Sequence, residues 1–193
     1  VYLKLSSSEK IYLVSSSIKA GFIFEALDFA NAVSLESITV TDEMADYKAD
    51  DGSLVKFDSI TISGEKIAEK VVIEPNGDDS LSQYVAFMVT SPAKRIAENA
   101  DIVFDAFKNG ISVSGAYSFD VTKETISKLG LDKPDFMATL KIANQSLTYK
   151  FKLQPDGAFA AVSDNSKLVS RVSATTVPFV TYNTTDFYSK QAC

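Results

Sequence analysis

The sequence predicts an α+β fold, in which three or four helices pack against an antiparallel sheet built from hairpins. Short runs of β-branched and aromatic residues recur along the chain, separated by turns that contain Gly, Pro, Asn or Asp. Other stretches carry apolar residues at helical spacing. The 193 residues are 46% hydrophobic and 23% charged, which is typical of a globular chain with a full core.

The N-terminal region predicts a hairpin followed by a helix. Residues 1–5 alternate between apolar and polar, residues 6–10 form a polar turn, and residues 11–14 are again apolar. Serines 15–17 are candidate N-caps for a helix over residues 18–32. Apolar side chains cover most of that helix's circumference, so we expect it to be buried on more than one side.

The middle of the chain predicts four strands, at residues 37–40, 59–62, 70–74 and 83–90. The first two are near copies, Ser-Ile-Thr-Val and Ser-Ile-Thr-Ile, and each is preceded by an acid, Glu36 or Asp58. Asp51-Gly52 is a strong turn signal between them.

The clearest helical pattern begins after Ser91, a good N-cap, with Pro92 at the first helical position. Asn109-Gly110 ends this helix, because glycine takes the C′ conformation without a steric penalty. A strand is expected at 111–119, followed by a short helix over 122–129.

The last third predicts strands at residues 136–142, 147–153, 158–162 and 167–172, with a final helix over 178–190. The short turns between these strands favour a meander, since crossover connections need a dozen or more residues.

An ungapped alignment of residues 1–18 with residues 158–175 indicates an internal repeat. It matches serines and lysines at Ser6 with Ser163, Lys10 with Lys167 and Ser16 with Ser173. On this interpretation residues 1–35 are the C-terminal part of a first lobe and residues 36–193 are a second lobe. One compact domain is the alternative.

Composition excludes several kinds of chemistry. The chain has no histidine, so Ser-His-Asp and Cys-His nucleophiles and most zinc sites are excluded. Its single cysteine, Cys193, cannot form an internal disulfide. The net charge of −6 opposes binding to nucleic acid.

Two short motifs raise the hypothesis of a serine hydrolase. Ser91 to Lys94 fits S-x-x-K, and Ser163-Asp164-Asn165 fits the S-D-N element of serine enzymes that use a lysine as base. No K-T-G follows Asn165. An N-cap explains Ser91 and a hairpin turn explains the second motif, so we predict no catalytic residue.

Carboxylates cluster in two further places. Acidic loops contain Asp42, Glu43, Asp46, Asp50 and Asp51, and also Asp78 and Asp79. Such loops could hold Ca²⁺, but the EF-hand spacing fails, so we expect solvated loops and assign no metal or cofactor residue. Glu98, Asp101 and Asp105 lie opposite the apolar stripe of the predicted second helix and should face water.

Two segments resemble a known family. They are Lys128-Leu129-Gly130-Leu131-Asp132-Lys133-Pro134 and the N-terminal strands, Val1-Tyr2-Leu3-Lys4-Leu5 and Ile11 to Ser17. The chain resembles the bacterial domain of unknown function 4340 family, whose members typically carry an N-terminal membrane anchor and lie in the cell envelope. Some lie beside transporter genes of the gliding-motility type. The family has no assigned catalytic residues.

The resemblance implies an extracytoplasmic, membrane-anchored, lipoprotein-like chain with envelope or transporter proteins as partners. Val1 lies inside a strand without a preceding Met, which predicts that a segment carrying the anchor has been removed. Taken with the missing imidazole, this favours a non-enzymatic binding or scaffold module accessory to an envelope transporter. The alternatives are a Ca²⁺-stabilised ligand-binding domain and a Ser-Lys hydrolase.

Overall fold

A computed structural model of the chain describes residues 2–4, 11–13, 34–77 and 86–189. Within these ranges the strands are β1 Tyr2–Lys4, β2 Ile11–Leu13, β3 Ser34–Leu35, β4 Ser59–Ser63, β5 Val71–Pro75, β6 Phe87–Ser91, β7 Arg95–Ile96, β8 Ile111–Ser112, β9 Gly115–Ser118, β10 Phe136–Ile142, β11 Gln145–Leu153, β12 Phe159–Ser163 and β13 Val169–Val172. The α-helices are α1 Ala100–Asn109 and α2 Lys123–Lys128, and 3-10 helices cover Asp42–Tyr47, Pro178–Thr181 and Thr184–Phe187.

Nine of these strands form one antiparallel sheet in the order β7-β6-β5-β4-β10-β11-β12-β13-β9. It consists of two meanders, β4 to β7 and β10 to β13, which join where β4 pairs with β10. The pairs β1-β2 and β3-β8 form two separate two-stranded sheets.

Alternation along the central strands places one set of side chains in the main core. Every second residue of β10 is buried, and in the middle of β11 Leu147, Tyr149 and Phe151 are buried in the same alternation. Helix α1 covers this inner face with an apolar stripe that includes Val103 and Phe107. The Phe107 ring stacks on Tyr149 of β11, with ring centroids 4.5 Å apart and planes 7° apart.

A smaller core lies on the outer face of the sheet. Ala160 and Val162 of β12 and Val169 of β13 are buried there beneath Leu131, which follows α2. The Thr122 side chain caps α2 by accepting a hydrogen bond from the Thr125 amide at 3.1 Å. Sheet residues at these strands are therefore covered on both faces.

An ion cluster ties the ends of β10 and β11 together. Lys152 Nζ lies 2.9 Å from Asp135 Oδ1 and 2.5 Å from Glu65 Oε2. Asp135 Oδ2 accepts a hydrogen bond from the Leu153 amide at 3.0 Å. Burial opposes ionisation of Asp135, but the Leu153 amide and the Lys152 ammonium hold the pKa of this carboxyl below its ordinary value.

A second cluster fastens the edge strand β9. Asp156 accepts from Tyr117 Oη at 2.6 Å and from Arg171 Nε at 3.0 Å. Burial and the hydrogen bond to Asp156 raise the pKa of Tyr117 to about 12. The donations from Tyr117 and Arg171 lower the pKa of Asp156 to about 2.

The predicted α+β fold with three or four packed helices is wrong. The described residues are mostly sheet, and α1 is the one helix among them with seven or more residues. Residues 178–187 form two 3-10 turns instead of a helix, because the Asn183 side chain accepts from the Thr185 amide and starts a new turn there.

Two element boundaries also differ from the predictions. The helix expected from Pro92 begins at Ala100, because Arg95 and Ile96 pair with β6 as strand β7. Residues 37–40 form no strand, although their near copy is β4. Strand β10 and helix α2 confirm the predictions for residues 136–142 and 122–129.

The N-terminal hairpin is present as β1 and β2, with Tyr2 opposite Leu13. The expected helix over 18–32 lies outside the described residues. The repeat alignment would carry this pair to Phe159 and Ser170, but Phe159 lies opposite Val172. The two hairpins thus differ in register by two residues, and the two-lobe division stays a prediction.

Candidate ligand-binding cleft

The segment from Ser34 to Ile38 is held against the end of α1. Strand β3 pairs with β8, which places Leu35 opposite Ile111. The Ile38 amide donates to the Phe107 carbonyl at 2.8 Å. Gly110 permits this approach, since a Cβ built there would lie 2.7 Å from the Leu35 carbonyl oxygen.

A buried tyrosine fixes the backbone of Glu36 within this segment. The Tyr149 hydroxyl donates to the Glu36 carbonyl and also lies 3.2 Å from the Ala106 carbonyl. Burial, together with the charge of Glu36, raises the pKa of Tyr149, so its hydroxyl keeps its proton as a donor. The position of Glu36 is therefore set by the core.

The Glu36 side chain reaches the turn between β12 and β13. Its Oε1 accepts from Asn165 Nδ2 at 2.9 Å, and its Oε2 accepts from Ser163 Oγ at 3.2 Å. The Ser163 amide in turn donates to Ser166 Oγ at 2.7 Å. Both carboxylate oxygens are thus oriented by donors, and each keeps a lone pair for a further partner.

Glu36 and this turn line a half-open cavity of about 190 Å³, which we call the Glu36 cleft. Its lining residues are Ser34, Leu35, Glu36, Ser163, Asn165, Ser166, Lys167, Leu168 and Ser170. At ~30 Å³ per water, this volume holds about six water molecules. The cleft therefore has room for a small polar ligand.

Ser170 is the most informative lining residue. It is 1% exposed, yet its hydroxyl forms no hydrogen bond to another residue in the described ranges. The hydroxyl is open to the cleft and not sealed in the core, since Thr41 Oγ1 is the one fully buried side-chain oxygen without a partner among the described residues. Because Ser170 lines the cleft, its hydroxyl is available to a molecule bound there.

A second groove lies on the other side of Glu36 and Asn165. It has a volume of about 300 Å³ and is lined by further polar residues, including Ser37, Thr39 and Gln145. Glu36 and Asn165 therefore form the wall between two polar concavities.

The structure separates the two motifs of the hydrolase hypothesis. Ser91 ends β6 and Lys94 precedes β7, whereas Ser163 ends β12. Strands β6 and β12 are five positions apart in the sheet, which is roughly 24 Å at ~4.8 Å per strand. One active site cannot contain all three side chains. The motif residues Ser163 and Asn165 instead hold Glu36.

The acidic loop around Asp42 to Asp51 shows no arrangement suited to a metal. Residues Asp42–Tyr47 form a 3-10 helix, and Asp51 Oδ1 accepts from the Ser53 amide at 2.9 Å as a turn cap. Throughout the part of the chain that the structure describes, no three acidic or cysteine side chains converge on a metal site. Asp78 and Asp79 lie outside that part.

The three carboxylates predicted to face water do so. Asp101 and Asp105 are exposed on α1, and Glu98 is exposed just before it. Sequence analysis did not single out Glu36 or Ser170 as site residues. The available signals were the acid before the first Ser-Ile-Thr copy and the polar turn 163–166, which lies 127 residues from Glu36.

Comparison with protein-family models, with curated proteins and with solved structures finds no significant match. The resemblance to the domain of unknown function 4340 family therefore stays a prediction. Every helix in the described ranges is too short or too polar to cross a bilayer.

Proposed function

We propose that this chain is a non-enzymatic binding module that holds a small polar ligand in the Glu36 cleft. The observation that carries the proposal is the polar cavity itself, where the Ser170 hydroxyl faces the cleft without a hydrogen-bond partner among the described residues. Glu36 supports it, because the core holds its backbone and two donors orient its carboxylate. Preorganised polar groups of this kind favour binding, since little ordering remains when the ligand arrives.

Holding a ligand fits this cleft better than attacking one. A serine nucleophile needs a base and also amide donors for the oxyanion. Within the cleft the Ser163 amide already donates to Ser166, so it is not free to hold an oxyanion. The chain has no histidine to act as the base, and Lys94, the base of the Ser-Lys hypothesis, lies beside β6 and β7, at least five strand positions from β12.

The resemblance to an envelope family supports the cellular context. On that basis the module works outside the cytoplasm, anchored to a membrane and accessory to an envelope assembly or transporter. A small-ligand site suits such a role, because an accessory protein can present a ligand to its partner.

The test is isothermal titration calorimetry of the full chain against a panel of small amino acids, sugars and polyols. We expect a saturable ligand whose affinity falls at least tenfold in Glu36→Gln, since a hydrogen bond to a charged group contributes about 1.5–3 kcal/mol. Glu74→Gln, on β5 outside the cleft, is the matched control and should leave the affinity unchanged. Equal affinity of every ligand for the wild type and Glu36→Gln, or no binding at all, would contradict the proposal.

A further inference from the structure

We infer that the ligand of the Glu36 cleft is a small zwitterion of the α-amino-acid type. This inference rests on the proposed function and names its ligand class. It follows from the opposite charges of Glu36 and Lys167, which line one cavity of about 190 Å³.

Glu36 and Lys167 are both exposed, and among the described residues neither is paired with an opposite charge. Glu36 accepts from the neutral donors Ser163 and Asn165. In the described ranges neither Glu36 nor Lys167 has an ion-pair partner within 4.0 Å, and they do not pair with each other. A ligand that carries both an ammonium and a carboxylate would satisfy both charges at once.

The remaining lining matches the rest of such a molecule. Leu35 and Leu168 contribute apolar surface for a small aliphatic side chain. The unpartnered Ser170 hydroxyl can donate to a ligand carboxylate or accept from its ammonium. A volume equal to about six waters matches a single small molecule.

A neutral sugar is the competing ligand class, since hydroxyls and amides also suit it. A sugar carries no charge to pair with Glu36 or Lys167, and no aromatic ring is among the described residues that line the cleft. The charges therefore favour the zwitterion.

The experiment is calorimetric titration of the full chain with glycine, L-alanine, L-leucine and glucose. The tightest amino acid is then compared with its amide, which lacks the carboxylate, and its N-acetyl derivative, which lacks the ammonium. We expect each derivative to bind at least tenfold more weakly than the parent. Lys167→Met should remove the preference over the amide, and Glu36→Gln should remove the preference over the N-acetyl derivative.

Each other outcome has a defined meaning. Lys150→Met, on the outer face of the sheet, is the control and should keep both preferences. Saturable binding of glucose without any amino acid would overturn the zwitterion and leave the proposed function standing. Equal affinity for an amino acid and both derivatives would also overturn it. If none of these four ligands binds, the zwitterion is wrong, and the wider panel decides the proposed function.

Discussion

Replacing Gly110 by alanine should destabilise the fold and loosen the Glu36 cleft. Gly110 has φ 75° and ψ 173°, a region that essentially only glycine occupies, and a side chain there is unfavourable by about 1–3 kcal/mol. The added Cβ would also lie 2.7 Å from the Leu35 carbonyl oxygen. Relieving that contact disturbs the β3-β8 pairing. Each weakened hydrogen bond lowers the free energy of unfolding by about a further 1 kcal/mol.

We therefore expect Gly110→Ala to lose about 3 kcal/mol of unfolding free energy. Urea denaturation measures it, because with a slope of about 2 kcal/mol per M the midpoint should fall by about 1.5 M. Gly157→Ala is the matched control, since Gly157 has φ 80° but nothing within 4 Å of an added Cβ. The control should lose only about 1–2 kcal/mol of unfolding free energy, because alanine disfavours a positive φ.

The difference between the two urea midpoints tests whether Gly110 lies against the Leu35 carbonyl. If the midpoint of Gly110→Ala falls no further than that of Gly157→Ala, the close contact between α1 and the Glu36 segment does not exist. In that case the core does not position Glu36 as described.

Three further predictions follow from other parts of the structure. Tyr149→Phe removes the donor to the Glu36 carbonyl, so thermal denaturation should show a loss of about 1–3 kcal/mol, and an unchanged melting temperature would contradict this hydrogen bond. The folded-state pKa of Tyr117 lies above the ordinary value of about 10, so its contribution to stability is complete below pH ~10 and is lost as the pH rises through about 12. Spectrophotometric titration at 295 nm should show late-titrating tyrosines, Tyr149 among them, and one fewer of these in Tyr117→Phe. An equal number in the wild type and in Tyr117→Phe would contradict the Asp156 contact. A fluorophosphonate probe should leave the chain unlabelled, and mass spectrometry that finds a modified Ser91 or Ser163 would contradict the non-enzymatic proposal.

Local patterns predicted the centre of the sheet well. Residues 136–142 alternate cleanly, and they form β10 because each face of that strand has a distinct environment. The short helix α2 was equally predictable, since Thr122 caps it and Gly130 follows it. Alternation and capping depend only on residues that are close together in the sequence, so they can be recognised without the tertiary structure.

Tertiary pairing decided the elements that sequence analysis missed. Residues 37–40 and 59–62 have nearly the same letters, but only the second segment lies between β5 and β10 and becomes a strand. Residues 95–96 extend the sheet beside β6 instead of starting the helix. Strand propensity needs a partner strand, which the sequence of the segment does not reveal.

The residues of the Glu36 cleft were even harder to predict from the sequence. Glu36 meets Ser163 across 127 positions and Asn165 across 129, so no spacing rule connects them. The letters S-D-N at residues 163–165 predict a turn and nothing more. Its contact with Glu36 emerges only when β12 and β13 are placed beside the β3 segment.

The most direct test is an amide chemical-shift titration of the ¹⁵N-labelled chain with the tightest ligand from the calorimetric panel. The account predicts shifts concentrated at residues 34–36 and 163–170, and their loss in Glu36→Gln. Shifts confined to another surface, such as the outer face around Lys150, would contradict the assignment of the Glu36 cleft as the binding site.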